Sequence, residues 1–590
     1  MFYRALSDEH TRRVRRARPV IALAAVAFAI GVIVGANGGS SPADSLAERF
    51  VTQWSRDQYG AMYGEIDAAS RRSLSADEFA SAYHAAMNTA TATHLRVLGK
   101  AHAAPDGFVA VPVRVSTRLF GSLTLNVEVQ TADGGEGAKA IAWSRSLTFP
   151  GMLAGEQLTR QTTLPDRAKL LARDGSVLAE GSAEAAGPRS SPLGESASAV
   201  IGEVGAIPGS ERTALESEGV PTDAIVGTSG LERALDTRLR GTPGGELLAG
   251  HRVLATAAPH AAHSVRTSIS PTVQKAAVEA LGSRLGGIVA LQPSTGQVLA
   301  VAGIALNSVQ PPGSTFKMVT LTGALEAHVA TPRTTYPYAT FATLDGVKLS
   351  NANGEECGGS LALAFAVSCN SVFAPLGVKL GAPRLVALAE RFGFNHSTGI
   401  EGAAESTLPS ASEIQGELDV GSTAIGQGQV QASALQMAIV AATIADGGHR
   451  PQPTFTLAHP PPGPTVTSTD VARTVRRLMI GVVKDGTGTS AAIPGVTVAG
   501  KTGTAELKSE CSNSGEAESS EESSSQESSS GGCVGADSEA SNTDAWFASF
   551  APALRPRIVV GVLLVKDGAG GDTAAPVARE VLEAGLQASR

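Results

Sequence analysis

At 590 residues the chain is too long for one hydrophobic core, and three or four domains are expected. A hydrophobic fraction of 43% supplies enough apolar material for packed cores, and the formal net charge of -8 traces to one stretch, residues 509–541, with eight acids and no base. The remainder is near neutral and lacks the basic face that nucleic-acid binding requires, so nucleic acid is excluded as a partner.

Residues 19–36, PVIALAAVAFAIGVIVGA, are uncharged and long enough for a transmembrane helix. Arg12, Arg13, Arg15, Arg16 and Arg18 precede them, and no Lys or Arg follows until Arg49. The positive-inside rule then gives a cytoplasmic tail, residues 1–18, with everything after the helix outside the cell membrane. A cleaved signal peptide is the rival reading. The run is long for a signal core and Gly35-Ala36-Asn37 is a poor cleavage site, so a single-pass anchor is favoured.

After the linker Ser40-Ser41-Pro42, residues 43–54 are amphipathic, with Leu46, Phe50 and Val51 near helical spacing. Ser75 and Glu78 have capping-box spacing and open a helix carrying Phe79, Tyr83 and Met87 on one face. Alternating runs at 109–115 and 123–129, then 141–143, predict strands. Helices followed by an antiparallel sheet predict an α+β cone over residues 42–150. Residues 151–262 read as a linker domain punctuated by Gly-rich turns. Gly227-Thr228-Ser229-Gly230 is not a nucleophile elbow, because Leu231 stands where that motif needs glycine, so Ser229 is structural.

The last domain, residues 263–590, carries the chemistry. A hairpin is predicted from 287–291 and 296–301, and residues 331–357 read as loop-rich. Strands are expected at 501–505, 544–550 and 558–564, with a closing helix at 574–586. In Pro312-Gly313-Ser314-Thr315-Phe316-Lys317, a turn leads into an apolar helix, and Ser314 is expected in its first turn. Ser314 and Lys317, three apart, share a face. A hydroxyl there lies near the positive end of the helix dipole, and a buried neutral amine one turn on can take its proton. S-x-x-K occurs once, as do S-x-N (Ser368-Cys369-Asn370) and K-T-G (Lys501-Thr502-Gly503, then Thr504-Ala505-Glu506), in that order.

These three motifs with their flanks resemble the penicillin-binding proteins and serine β-lactamases, and specifically a class B penicillin-binding protein. The resemblance extends over residues 160–590. It implies a C-terminal transpeptidase with a five-stranded antiparallel sheet, flanking helices and a helical subdomain, preceded by a dimerisation (pedestal) domain. By position and pattern, residues 42–150 are similar to the nuclear-transport-factor-two-like domain of some class B proteins, either a partner-docking spacer or an inert stalk. That segment is too short for a glycosyltransferase domain. The resemblance implies a D,D-transpeptidase crosslinking peptidoglycan stem peptides and inhibited by β-lactams, at the membrane, with a glycosyltransferase of a cell-wall synthesis complex among its partners. No cofactor and no metal are implied.

The implied roles fall on eight residues. Ser314 is the nucleophile and Lys317 its base. Ser368 relays a proton between the lysines and the leaving amine, and Lys501 supplies positive potential. Asn370 grips the substrate backbone, Thr502 and Thr504 offer hydroxyls to its terminal carboxylate, and Gly503 completes the binding strand. The rival functions are a D,D-carboxypeptidase or β-lactamase-like hydrolase, and a β-lactam-binding sensor or scaffold. Sequence proximity pairs Cys357 with Cys369 and Cys511 with Cys533, although four cysteines allow three connectivities. Residues 508–542, rich in Ser and Glu and free of aromatics, cannot build a core and read as a surface loop beside the K-T-G strand; the sharper reading is a flap over the cleft.

Overall fold

The computed structural model describes residues 41–506 and 543–588, apart from 136, 137, 184, 459, 460 and 462. The expected tail 1–18, the anchor 19–36, the insert 508–542 and the pair Cys511–Cys533 lie outside the described residues. Among the described residues no single helix is long and apolar enough to cross a membrane. The described chain forms two compact units, and the chain passes between them more than once. One is built from residues up to Pro165 with Pro208–Ala224 and Thr242–His260; the other from Asp166–Ile207, Ile225–Gly241 and Ala261 onward.

The first unit begins with helices α1 (Pro42–Trp54), α2 (Tyr59–Glu65), α3 (Ala68–Ser73) and α4 (Ala76–Thr89). The predicted capping box is present: Ser75 Oγ accepts from Glu78 N, and Glu78 Oε2 accepts from Ser75 N at 2.7 Å. Strands β1 (Ala92–Val97), β2 (His102–Ala103), β3 (Val109–Thr117) and β4 (Ser122–Val129) follow, with β3 paired to the other three. The alternation that predicted β3 is what buries Val111, Val113 and Val115 against Phe50, Trp54, Phe79 and Tyr83. The strand expected at 141–143 is displaced to Ala138–Ile141, paired with Thr131–Gly135. Trp143 leaves the ladder because its indole N–H reaches the Tyr83 hydroxyl at 3.2 Å. Strands β5 (Leu158–Thr163), β6 (Gly244–Ala249) and β7 (Arg252–Ala257) add a three-stranded sheet with β6 central.

The second unit contains the five-stranded antiparallel sheet: β8 (Gly286–Leu291), β9 (Val298–Gly303), β10 (Ala499–Glu506), β11 (Thr543–Ala551) and β12 (Ile558–Leu564), in the order β9-β8-β12-β11-β10. Its main helices are α5 (Pro271–Leu281), α6 (Lys317–Glu326), α7 (Leu361–Ala366), α8 (Asn370–Leu380), α9 (Ala434–Ala445), α10 (Thr469–Asp485) and α11 (Ala574–Ala588). Successive residues of β8 enter different cores. Ile288 and Ala290 pack with α5 and α11, while Val289 and Leu291 share a core with α9. A sheet covered on both faces explains why its strands read as unbroken apolar runs. The same unit holds a buried ion cluster in which Glu232, 0% exposed, is bonded by Arg167 and Arg189, each at 2.7 Å. Ser229 has the structural role expected of it, its hydroxyl accepting from Glu203 N at 2.9 Å. One stretch departs from expectation. Residues 331–357 are not loop throughout: Phe341–Leu344 and Val347–Ser350 form a hairpin on Asp345-Gly346, both at positive φ, a two-residue turn that this dipeptide favours.

Candidate active site

Strand β10 is at the edge of the sheet, in register with β11 as Lys501↔Ala548, Thr502↔Phe547, Gly503↔Trp546 and Thr504↔Ala545. Against it lies the serine turn. Ser314 was expected inside the first turn of an α-helix; instead Gly313–Phe316 is a tighter 3-10 turn and α6 begins at Lys317. Thr315 causes this by donating from both its N–H (3.3 Å) and its hydroxyl (2.6 Å) to Pro312 O, which closes an i→i+3 turn. The loop Gly426-Gln427-Gly428 backs the turn, with Gly313 N donating to Gly426 O at 2.9 Å. Gly503 is required by close approach: a Cβ there would stand 2.7 Å from Pro312 O and 3.0 Å from Thr315 Cγ2. The third residue of K-T-G is therefore what lets the serine turn touch the strand.

The S-x-N turn supplies the third wall. Ser368 joins α7 to α8 with φ of 65°, a left-handed conformation that side chains rarely adopt and that concentrates at functional sites. The expected disulfide Cys357–Cys369 is formed and ties this turn to the strand Cys357–Ser360. Lys317, 0% exposed, donates to Ser368 O and to Asn370 Oδ1, both at 2.6 Å, and lies 3.4 Å from Ser368 Oγ. Lys501, also 0% exposed, donates to Ser368 Oγ at 2.8 Å and to Thr502 O at 3.0 Å. Ser368 therefore stands between the two amines. Phenylalanine rings flank both, Phe373 at 5.6 Å from Lys317 and Phe365 at 5.5 Å from Lys501.

Among the described residues neither lysine has a carboxylate partner. Burial first, and then the charge of Lys501, hold the Lys317 amine well below the usual lysine range. Burial lowers Lys501 to about 7. A neutral amine has two N–H groups and one lone pair. The two 2.6 Å bonds of Lys317 occupy both N–H groups and leave the lone pair for a hydroxyl proton. Asn370 is engaged at both ends, since its Nδ2 also donates to Ser350 O at 2.9 Å.

All eight residues singled out in the sequence meet here. Ser314 and Lys317 are joined through their own turn rather than by a hydrogen bond between their side chains. Thr504 Oγ1 accepts from Gly570 N at 3.3 Å. Sequence reasoning missed Thr487. Its hydroxyl lies 2.5 Å from that of Thr502, while its N–H holds Ala366 O at 3.1 Å. The only signal was Asp485-Gly486-Thr487-Gly488, a breaker run after an amphipathic helix, which marks a loop but not where the loop goes.

Residues 286–583 match the penicillin-binding protein transpeptidase domain, residues 42–156 the NTF2-like N-terminal transpeptidase domain, and residues 182–251 the penicillin-binding protein dimerisation domain. The chain is 32% identical over 433 residues to the peptidoglycan D,D-transpeptidase PbpA of Mycolicibacterium smegmatis, covering 61% of this chain and 80% of that protein. Among solved structures it is similar to the D,D-transpeptidase domain of a peptidoglycan glycosyltransferase from Eggerthella lenta, with 29% identity, TM-score 0.55, and 72% of this chain and 99% of that one covered. It is also similar to a ceftriaxone acyl-enzyme complex of penicillin-binding protein A from Mycobacterium tuberculosis, at 27% identity and TM-score 0.54, covering 72% of this chain and 98% of that one.

Proposed function

This chain belongs to the penicillin-binding protein transpeptidase family, and from that premise we propose that it is a serine D,D-transpeptidase crosslinking peptidoglycan stem peptides through an acyl-enzyme on Ser314. The observation that carries the reading is the pair of buried amines without a carboxylate, with Ser368 between them, beside the Ser314 turn. The neutral Lys317 amine takes the Ser314 proton. The Ser314 oxygen attacks the carbonyl of the penultimate D-alanine. Negative charge on that carbonyl oxygen is met by the backbone N–H groups of Ser314 and Thr504, a contribution of ~3–4 kcal/mol per donor. Ser368 passes a proton to the departing nitrogen, drawing on the lysines, and D-alanine leaves. The amine of a neighbouring stem peptide then attacks the ester, its proton returns to the lysine–serine relay, and Ser314 is released with its hydroxyl restored.

Binding follows from the same residues. An extended peptide adds along the edge of β10, with Lys501 and the hydroxyls of Thr502 and Thr504 on its terminal carboxylate. Asn370 acts by holding Lys317, and Thr487 by holding the Thr502 hydroxyl. A β-lactam presents the same carbonyl and carboxylate, and the acyl-enzyme of the Mycobacterium tuberculosis relative supports its inhibiting this chain by the same attack. Residues 19–36 anchor the enzyme as a single-pass protein with residues 1–18 in the cytoplasm. Residues 42–150 serve as a docking spacer, 151–262 as the pedestal and 263–590 as the catalytic domain, in a complex that includes a glycosyltransferase. The test is to supply a stem pentapeptide with and without an acceptor amine. D-alanine release with crosslinked product only when the acceptor is present, all lost in Ser314→Ala, is expected. Release undiminished in Ser314→Ala, or hydrolysis that ignores the acceptor, would overturn the reading.

A further inference from the structure

The S-x-N turn is held from a stretch to which the mechanism above gives no part. Ser350 ends the hairpin strand Val347–Ser350, and Asn351 follows it. Two neighbouring residues there meet two neighbouring residues of α8. Ser350 O accepts from Asn370 Nδ2 at 2.9 Å, and Asn351 Oδ1 accepts from Ser371 N at 2.8 Å. Asn351 is 6% exposed and its amide is bonded on both sides. Its Nδ2 donates to Ala339 O and Glu355 O, both at 2.8 Å, and lies 3.2 Å from Ser371 Oγ. One side chain thus joins the end of the strand Thr335–Ala339, the turn after the hairpin and the first turn of α8. The first turn of a helix leaves N–H groups without partners, and the residue before it usually supplies an oxygen. Here that residue is Cys369, whose sulfur is bonded to Cys357 and caps nothing. Asn351 supplies the oxygen from another segment.

The bond from Ser350 has a chemical consequence. The Asn370 amide lies between Lys317 Nζ and Ser350 O. Its oxygen accepts from the lysine and its NH2 group donates to the carbonyl. Turned over, the amide would set Oδ1 against Ser350 O, two acceptors with no proton between them, and would aim an N–H at the lysine nitrogen. That N–H would take the lone pair that the neutral amine needs for the Ser314 proton. The orientation of one side-chain amide therefore decides whether Lys317 is a base, and the Ser350 carbonyl decides the orientation. It can do so only while Ser350 and Asn370 stay in register, and Asn351 ties the residue after each to the other.

We propose that Asn351 is a positioning residue for acylation. It holds the Ser350 carbonyl against the start of α8, so that Asn370 shows Lys317 its oxygen and the lysine lone pair stays free. The proposal rests on Ser314 being the nucleophile and Lys317 its base, and Asn351 acts on them only through Asn370.

The test is a cycle on the whole protein: wild type, Asn351→Ala, Asn370→Ala and the double variant. Each is acylated with benzylpenicillin over a range of concentrations, the adduct is mapped, and the rate is taken per folded molecule. Asn351→Ala should slow acylation at saturating penicillin about tenfold or more while the half-saturating concentration moves less than about threefold, because the base is affected and the binding strand is not. In the Asn370→Ala background the same substitution should cost less than about threefold, because the amide through which it acts is gone. Where Asn351→Ala does not fold, Asn351→Asp takes its place in the cycle, since it keeps an acceptor for Ser371 N–H and gives up the donor to Ala339 O and Glu355 O. Acylation within about threefold of wild type, or the same loss factor in both backgrounds, overturns the proposal. If wild type carries no adduct on Ser314, or Lys317→Met acylates as wild type does, the reading beneath the proposal fails and the proposal with it.

Discussion

Two clusters of charged side chains are buried in the second unit, and they are opposites. In one, Arg167 and Arg189 share Glu232, while Arg167 and Arg240 share Asp236, all at 2.7 Å. Every charge meets an opposite one, and the cluster fastens Gly230–Ala234 and Asp236–Leu239 to the segments that carry Arg167 and Arg189. In the other, Lys317 and Lys501 are just as buried and, among the described residues, meet only hydroxyls, carbonyls, an amide and two phenyl rings. Burial without a counter-charge is relieved by giving up a proton, and an amine that has lost its proton is a base. Equal burial thus yields architecture in one place and a reagent in the other. The presence or absence of a carboxylate decides which.

The largest effect expected from breaking this contrast is on the reagent. Lys317→Met keeps the bulk and removes the lone pair. Acylation by a fluorescent penicillin should fall roughly 10⁴-fold, the upper range for a lost general base, while the fold survives. A rate within tenfold of wild type would put the base elsewhere. The reverse experiment is Glu232→Gln, which strands the buried Arg189 guanidinium and leaves Arg167 only Asp236. Removing one partner of such a cluster costs about 3–5 kcal/mol, so the melting temperature should drop sharply while acylation per folded molecule holds. Unchanged melting would mean that the ion cluster does not fasten the unit.

The pH dependence sharpens the contrast further. Acylation should rise with pH as Lys317 loses its proton, then decline above about 7 as Lys501 loses the charge that holds the carboxylate. Lys501→Arg, which keeps its charge, should remove the declining limb; a limb that persists would belong to another group. Both lysines have folded values below their unfolded ones, so between about 7 and 10.5 the unfolded chain binds more protons. Stability should therefore rise with pH across that window and be lower beneath it. The smallest effect is expected from Thr487→Val, which deletes one hydroxyl beside Thr502. One hydrogen bond is worth ~1 kcal/mol, so acylation should slow about fivefold with melting unchanged.

The reactive cluster was far more legible in the sequence than the structural one, and the reason is local. Ser314 and Lys317 lie in one turn, Ser368 and Asn370 in another, and Lys501 to Thr504 in one strand, so three short words carry nearly the whole site. Strand β12 was placed to the residue because an apolar run seven residues long leaves little choice. The ion cluster has no such words. Arg167, Arg189, Glu232, Asp236 and Arg240 are spread over more than seventy residues, and each reads alone as an ordinary surface charge. Thr487 escaped for the same reason, since long-range packing makes its contact with Thr502. The Asp345-Gly346 hairpin was different. Its signal was present, but the short flanking strands did not stand out. Ser314 was set one turn too far into its helix, because the double hold of Thr315 on Pro312 cannot be read from residue types.

The claim that an unpaired buried lysine arms Ser314 is tested most directly by mass spectrometry of the protein after incubation with benzylpenicillin, with the adduct mapped to its residue in wild type and in Lys317→Met. One penicilloyl group on Ser314 in wild type, and none in the variant over the same interval, is the expected result. An adduct on any other residue, or equal labelling of the two proteins, would contradict it.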